Sequence, residues 1–202
     1  MKIAHTETLC SIGPLAKSKE WKTIKSEIEE GIASVVWPEG SSIFTIKPES
    51  GKKRGEGNGV KPIKDNLVNH LVNEGWEIEK PLDLATLRKP GKIDAVRSTK
   101  FGDVALEWET GNISSSHRAL NKMAIGMLKG KLAAGILIVP SRELYPYLTD
   151  RIGNWAELTP YLDLWKSIPI EEGVLEIIVI EHDATSDEVP RIPKGTDGRA
   201  KS

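Results

Sequence analysis

Lys92-Ile93-Asp94-Ala95-Val96-Arg97 and Asp103-Val104-Ala105-Leu106-Glu107-Trp108-Glu109 decide the fold. Each run is short and rich in apolar residues, and residues 98–102 between them end on Gly102. They read as two strands of a hairpin. Side chains on a strand alternate faces, so Glu107 and Glu109 point one way and Trp108 the other. If the hairpin is symmetric about its turn, Asp94 lies opposite Glu107, and three carboxylates meet on one patch. Three uncompensated charges so close repel by on the order of several kcal/mol. A divalent cation resolves that conflict, and hard oxygen ligands select Mg²⁺, Mn²⁺ or Ca²⁺ over zinc. The same spacing also belongs to the solvated face of an edge strand, so spacing alone leaves both readings open.

Outward from the hairpin the chain reads as one α/β unit. Ser114 or Ser115 can cap a helix running to about Lys129, with His117, Leu120, Met123, Ala124, Met127 and Leu128 on its buried face. Residues 133–139, Ala-Ala-Gly-Ile-Leu-Ile-Val, have the unbroken apolar character of a buried central strand. A strand, a helix and a returning strand make a crossover onto one sheet. Upstream, residues 18–31 place Trp21, Ile24 and Ile28 on one helical stripe, with Gly31 as the stop. Residues 42–47 alternate as a strand. Residues 60–74 form an amphipathic helix on Val60, Ile63, Leu67 and Leu71, with Val68 and Val72 beside them, ended by Gly75. Between them, residues 51–59 are a glycine-rich loop carrying Lys52, Lys53 and Arg54, expected to be mobile without a partner. Downstream, residues 143–150 and 155–165 read as helix or turn, 174–181 as a last strand, and 182–202 as a polar tail. The expected fold class is α/β, a central mixed sheet flanked by helices, in a single domain over 1–202.

Composition narrows the function classes. A chain of 202 residues with 39% hydrophobic content supports one well-buried domain. The single cysteine, Cys10, excludes an internal disulfide and argues against a cysteine-rich metal site. No apolar run is long enough to span a bilayer, and the N-terminus lacks the apolar core of a secretory signal. The expectation is a soluble cytoplasmic protein with no membrane partner. A net charge of −1 does not announce a nucleic-acid binder; a DNA-binding face must gather its basic groups locally.

Several separated blocks then carry a resemblance. They are Trp37-Pro38 with Phe44-Thr45-Ile46, Asn58-Gly59-Val60-Lys61-Pro62-Ile63-Lys64, and Glu79-Lys80-Pro81-Leu82-Asp83. Next come Ile93-Asp94 and the longest block, Glu107-Trp108-Glu109-Thr110-Gly111-Asn112-Ile113-Ser114-Ser115-Ser116-His117-Arg118, continuing to Asn121-Lys122. Tyr147-Leu148-Thr149-Asp150-Arg151 and Ile192-Pro193-Lys194-Gly195-Thr196-Asp197-Gly198 complete it. In order and spacing these resemble the BamHI group of type II restriction endonucleases, within the PD-(D/E)xK nuclease class. The likeness runs from about Val35 onward and is poor over the first thirty-odd residues, 50–57 and 167–189.

The resemblance implies the restriction-endonuclease-like fold and the roles of individual residues. Asp94 and Glu107 are the shared metal ligands, with the Trp108 carbonyl and Glu79 beside them. Glu109 stands where many nucleases of this class carry lysine, and as a carboxylate it can accept a proton from the attacking water. Mg²⁺ is the implied cofactor, with Mn²⁺ able to substitute and Ca²⁺ binding without supporting cleavage. Asn112, Ser114, Arg118, Thr149, Asp150 and Arg151 are the implied DNA-reading residues, Lys61 and Lys64 the phosphate contacts, and Gly195 and Asp197 part of a C-terminal segment, 183–202, near the minor groove. The implied partner is double-stranded DNA, cut at a palindrome, GGATCC, by a homodimer, leaving 5′-phosphates. Two other readings stay open: an inactive DNA-binding module of the same fold, against which the intact Asp94, Glu107, Glu109 and Glu79 stand, and a structure-selective repair nuclease, against which Asn112, Asp150 and Arg151 stand.

Overall fold

Strand pairing extends the hairpin on both sides. The computed structural model describes residues 1–51, 56–84, 91–109, 111–149 and 152–194, excepting the side chains of 61 and 62. Strands β1 (Lys2–Ile12), β3 (Glu77–Leu82), β4 (Gly91–Thr99), β5 (Gly102–Trp108), β6 (Ala134–Pro140) and β7 (Gly173–Glu181) form one sheet. Its order is β1-β7-β6-β5-β4-β3. The β5, β6 and β7 strands run parallel, whereas β3–β4, β4–β5 and β7–β1 are antiparallel, so the sheet is mixed. A short parallel pair, β2 (Thr45–Ile46) with β8 (Ala184–Thr185), stands apart from it.

The unbroken apolar run of β6 has a plain cause. Ala134, Ile136 and Ile138 face one core, shared with α1 (Lys19–Ser34) and α2 (Lys61–Asn73). Leu137 and Val139 face a second core, under α3 (Ile113–Leu128), α4 (Trp155–Leu158) and α5 (Leu162–Lys166). A strand covered on both faces loses the polar half of its alternation. The crossover expected between the hairpin and this strand is present as β5–α3–β6.

Three boundaries differ from expectation. Helix α1 starts at the Ser18 cap, whose side chain accepts from the Trp21 N–H at 2.9 Å, but it does not stop at Gly31. It continues to Ser34, because Gly31 serves packing instead. A Cβ there would lie 2.6 Å from Leu67 Cδ1 and 3.0 Å from His70 Cδ2, both on α2. The missing side chain lets the two helices approach. Gly31→Val should therefore cost about 1–3 kcal/mol of stability, the range for overpacking, read as a lower urea midpoint with an unchanged slope.

The second difference is the start of α3. Asn112, not Ser114 or Ser115, is the cap, its side-chain oxygen accepting from the Ser115 N–H at 3.4 Å. The third is residues 42–47. The alternation holds, with Phe44 and Ile46 buried and Ile43 exposed, but regular pairing covers only Thr45–Ile46. Among the described residues no helix is long and apolar enough to cross a membrane.

Candidate active site

Strand β4 is the middle of three, and its Asp94 sits in a row of carboxylates. Pairing with β3 runs Ile78↔Ala95 and then Lys80↔Ile93, which puts Glu79 across from Asp94 on one side. Pairing with β5 ends at Ala95↔Leu106, so Glu107 comes next across from Asp94 on the other side. There the ladder gives way to reciprocal side-chain bonds. The Asp94 N–H donates to Glu107 Oε2 at 3.3 Å, and the Trp108 N–H donates to Asp94 Oδ2 at 2.9 Å. The two carboxylates are fixed by the backbone of the opposing strand, which pre-organises both.

Each member of the row is paired with a lysine. Lys64 of α2 lies 2.6 Å from Asp94 Oδ1, and Lys122 of α3 binds Glu107 Oε1. Lys92 reaches Glu79 at 2.6 Å. The pair Asp94–Glu107 thus sits between the helix layers, held from one face by α2 and from the other by α3. Glu79 differs from the other two. Its side chain is exposed, and its φ of +48° makes it the non-glycine residue in the left-handed region among those described. Such a conformation is costly for a residue with a Cβ, on the order of 1–3 kcal/mol, and such outliers gather at functional sites. Glu79, Asp94, Lys64 and Asp65 line a hollow of about 360 Å³.

Electrostatics separate the carboxylates. Burial pushes the Glu107 carboxyl above its ordinary 4.5; the charge of Lys122 opposes this and that of Asp94 adds to it. Glu109, just past the strand, is also raised, by burial first and by the Asp94 charge; Arg118 and the Gly111 N–H pull the other way. Glu79 is lowered by its bond to Lys92. The Asp94 charge therefore reaches both Glu107 and Glu109. The structure does not close them around one point: among the described residues, no three His, Cys, Asp or Glu side chains come close enough to hold an ion together. The donor set nonetheless suits a hard divalent cation. Two adjacent carboxylates, oriented by backbone N–H groups and otherwise balanced only by ammonium groups, are oxygen ligands awaiting positive charge.

Three of the candidate DNA-reading residues share the start of the next helix. Asn112 and Ser114 are exposed at the start of α3, and Arg118 follows one turn on, donating to Ser115 Oγ at 3.3 Å. The segment from Ile152 packs against that helix start: the Gly153 N–H donates to the Gly111 carbonyl at 2.9 Å, and a Cβ on Gly153 would lie 2.7 Å from Ile113 Cα. Thr149 is buried, and its N–H donates to the Asn58 carbonyl at 2.9 Å. Lys64 pairs with Asp94 and does not point outward alone. Residues 52–55 of the basic loop, Asp150, Arg151, Gly195, Asp197 and the Lys61 side chain lie outside the described residues.

Two residues were missed by sequence reading as site elements. Lys122 was noted only as the end of a matching block, yet it is the partner of Glu107. Asn58, fully buried, ties three segments together. Its Nδ2 donates to the Lys47 and Tyr147 carbonyls at 2.8 and 3.0 Å, and its Oδ1 accepts from the Ile192 N–H at 3.1 Å. A buried amide with every group satisfied is the signal, and only tertiary structure reveals it.

A mixed sheet with an acidic row at the open end of its central hairpin defines the restriction-endonuclease-like class. The structure is similar to that of restriction endonuclease BglII complexed with a DNA 16-mer, with a TM-score of 0.65 at 11% identity over 91% of this chain and 79% of that one. The family described as restriction endonuclease BamHI matches residues 1–199, and the chain belongs to that family. It is 46% identical over 200 residues to the type II restriction enzyme OkrAI of Oceanobacter kriegii, covering 99% of both chains. It is 37% identical over 194 residues to the type II restriction enzyme BamHI of Bacillus amyloliquefaciens, covering 93% of this chain and 87% of that one. The likeness therefore reaches back through β1, beyond the start at about Val35 read from the sequence blocks.

Proposed function

We propose that this chain is a Mg²⁺-dependent type II restriction endonuclease that hydrolyses duplex DNA at GGATCC and leaves 5′-phosphates. The observation that carries the reading is the Asp94–Glu107 pair, locked by reciprocal backbone bonds at the end of the β4–β5 ladder, in a chain whose relatives are type II restriction enzymes. Asp94 and Glu107 would hold the ion, with the Trp108 carbonyl and Glu79 as further oxygen donors. Bound there, Mg²⁺ would lower the pKa of water and neutralise charge developing on the phosphoryl oxygens; Mn²⁺ would substitute, and Ca²⁺ would bind without cleavage.

The chain's own groups do the rest. Glu109 accepts the proton of the attacking water; its raised pKa makes it a stronger base than an ordinary glutamate. Asn112, Ser114 and Arg118 present donors and acceptors from the first turns of α3. Arg151 has the fork that matches guanine O6 and N7, and Asp150 can accept from cytosine N4; Thr149 stands next to them in the sequence. Lys61 and Lys64 serve phosphates, and Gly195 and Asp197 the minor groove. A palindrome calls for a two-fold dimer. The exposed apolar residues Ile125 and Leu128 of α3, with Tyr161 and Leu164 near α5, support those elements as its interface.

The reading is tested on product ends. Fragments made with Mg²⁺ should ligate without kinase treatment and carry one hexamer sequence at every junction; ragged or unrelated junctions would refute site specificity.

The raised carboxyls also set a pH dependence. Glu107 and Glu109 must be ionised to serve, and each holds its proton to higher pH than an ordinary glutamate. Their folded pKa exceeds the unfolded value, so in metal-free protein their ionisation opposes folding above the folded pKa, and that penalty is relieved as pH falls through it. Metal competes with the same protons. Ca²⁺ affinity should therefore start to fall with decreasing pH above the ordinary value of 4.5, while metal-free stability gains a contribution from these two groups. Calorimetric titration and melting at a series of pH values check both signs.

A further inference from the structure

Every oxygen of the Asp94–Glu107 pair has its own partner. Glu107 Oε2 and Asp94 Oδ2 accept backbone N–H groups, from Asp94 and Trp108. Glu107 Oε1 and Asp94 Oδ1 each hold an ammonium group, from Lys122 and Lys64. The bonds from backbone N–H groups come from the fixed strands and keep the two carboxylates oriented. The lysine bonds do not: each comes from a flexible side chain on a different helix, one on each side of the sheet. The two oxygens of the pair that carry no backbone bond are thus the two that the lysines occupy. The strand position where many nucleases of the class carry lysine is Glu109 here, so no lysine on β5 shares this work.

We propose that Lys64 and Lys122 are exchangeable counter-ions of the carboxylate pair, which a divalent cation must displace to bind. The proposal rests on the metal-site reading above. It explains how a largely buried Glu107 is tolerated beside Asp94 before metal arrives: an unpaired buried carboxylate is strongly destabilising, and the ammonium offsets part of that cost. It also means that cation binding is weaker than two bare carboxylates would allow, because two positive charges must leave the ligand oxygens first. Exchange frees the Lys64 ammonium for the phosphate contact its position in the sequence suggested. Lys92 on Glu79 is a different case, since both groups are exposed and solvent already screens them.

The test is calorimetric titration of the full-length wild type, Lys64→Met and Lys122→Met with Ca²⁺, with melting curves in EDTA and in Ca²⁺. Each variant should bind Ca²⁺ about tenfold more tightly than wild type, the effect of roughly 1.4 kcal/mol. Each should melt lower than wild type in EDTA and gain more from Ca²⁺. A lysine that merely supports the fold would lower both melting points and leave Ca²⁺ affinity alone. Unchanged or weaker affinity in both variants, with wild type binding Ca²⁺, overturns the exchange; tightening in one variant only restricts it to that lysine and overturns it for the other. Absence of Ca²⁺ binding by wild type overturns the metal-site reading and the exchange with it. Should Lys122→Met not fold, the more exposed Lys64→Met decides on its own.

Discussion

Glu107→Gln is expected to lower DNA cleavage at least about a thousandfold while the protein stays folded and still binds duplex DNA. The substitution keeps volume and shape and removes one charge. Glu107 is the most buried carboxylate of the row, on a strand paired on both sides, so the backbone has little freedom to compensate. Its loss leaves Asp94 as the sole charged donor of the adjacent pair. Charge stabilisation by a bound metal is worth several kcal/mol, and about 4 kcal/mol is a thousandfold in rate. Steady-state cleavage in Mg²⁺ measures the loss. Gel shift in Ca²⁺ or EDTA and a melting curve separate it from a failure to bind or fold. Retention of more than about a tenth of the wild-type rate would remove Glu107 from the reaction.

Asn58→Ala is expected to cost about 2–4 kcal/mol of stability, and to loosen one region first. The side chain carries three hydrogen bonds at a fully buried position. Truncation strands the buried Ile192 N–H, whose loss of partner costs roughly 1–3 kcal/mol, and removes one bond each from the Lys47 and Tyr147 carbonyls, which keep the Glu49 and Asn58 N–H groups at 2.8 Å. Around it the chain is close-packed: the Gly59 N–H donates to the Ile192 carbonyl at 3.0 Å, and a Cβ on Gly59 would collide with the Pro193 carbonyl. The Trp37 indole N–H holds the Pro190 carbonyl at 2.8 Å, so the segment around 190–194 is strapped across residues 37–59. Hydrogen exchange should show the Gly59, Thr149 and Ile192 amides losing protection in the variant while the amides of β6 keep theirs. Uniform loss across the sheet would mean that Asn58 supports the whole fold and not this strap.

The hairpin and the buried strand were legible because their physics is local. Alternation placed Glu107 on one face, and the run from Ala133 is typical of a strand buried on both sides. Gly75, with φ of +86°, ends α2 where a glycine was expected to. The edge strands were not legible. In β1, Lys2, His5, Thr6, Glu7 and Thr8 interrupt any apolar pattern, and in β3 a proline and charged residues fill an edge position, where such residues discourage further pairing. Gly31 was misread because a glycine at a helix crossing and a glycine at a helix end look alike until the partner helix is known. For the site, sequence spacing supplied Asp94, Glu107 and Glu109, and family resemblance supplied Glu79. Lys64 was expected at a phosphate; its pairing with Asp94, like that of Lys122 with Glu107, lies in tertiary contacts, from two helices on opposite sides of the sheet. Asn112 was read for DNA contact, and its cap role emerged only with the bond to Ser115.

The proposed cutting of duplex DNA at one defined sequence by the β4–β5 carboxylates is tested by digestion, with Mg²⁺, of a plasmid carrying a single GGATCC, beside the same reaction with Glu107→Gln and beside a plasmid lacking the site. One linear product cut at that hexamer is expected from wild type alone, with both controls intact. Cutting of the site-free plasmid, or linearisation by Glu107→Gln at the wild-type rate, would contradict it.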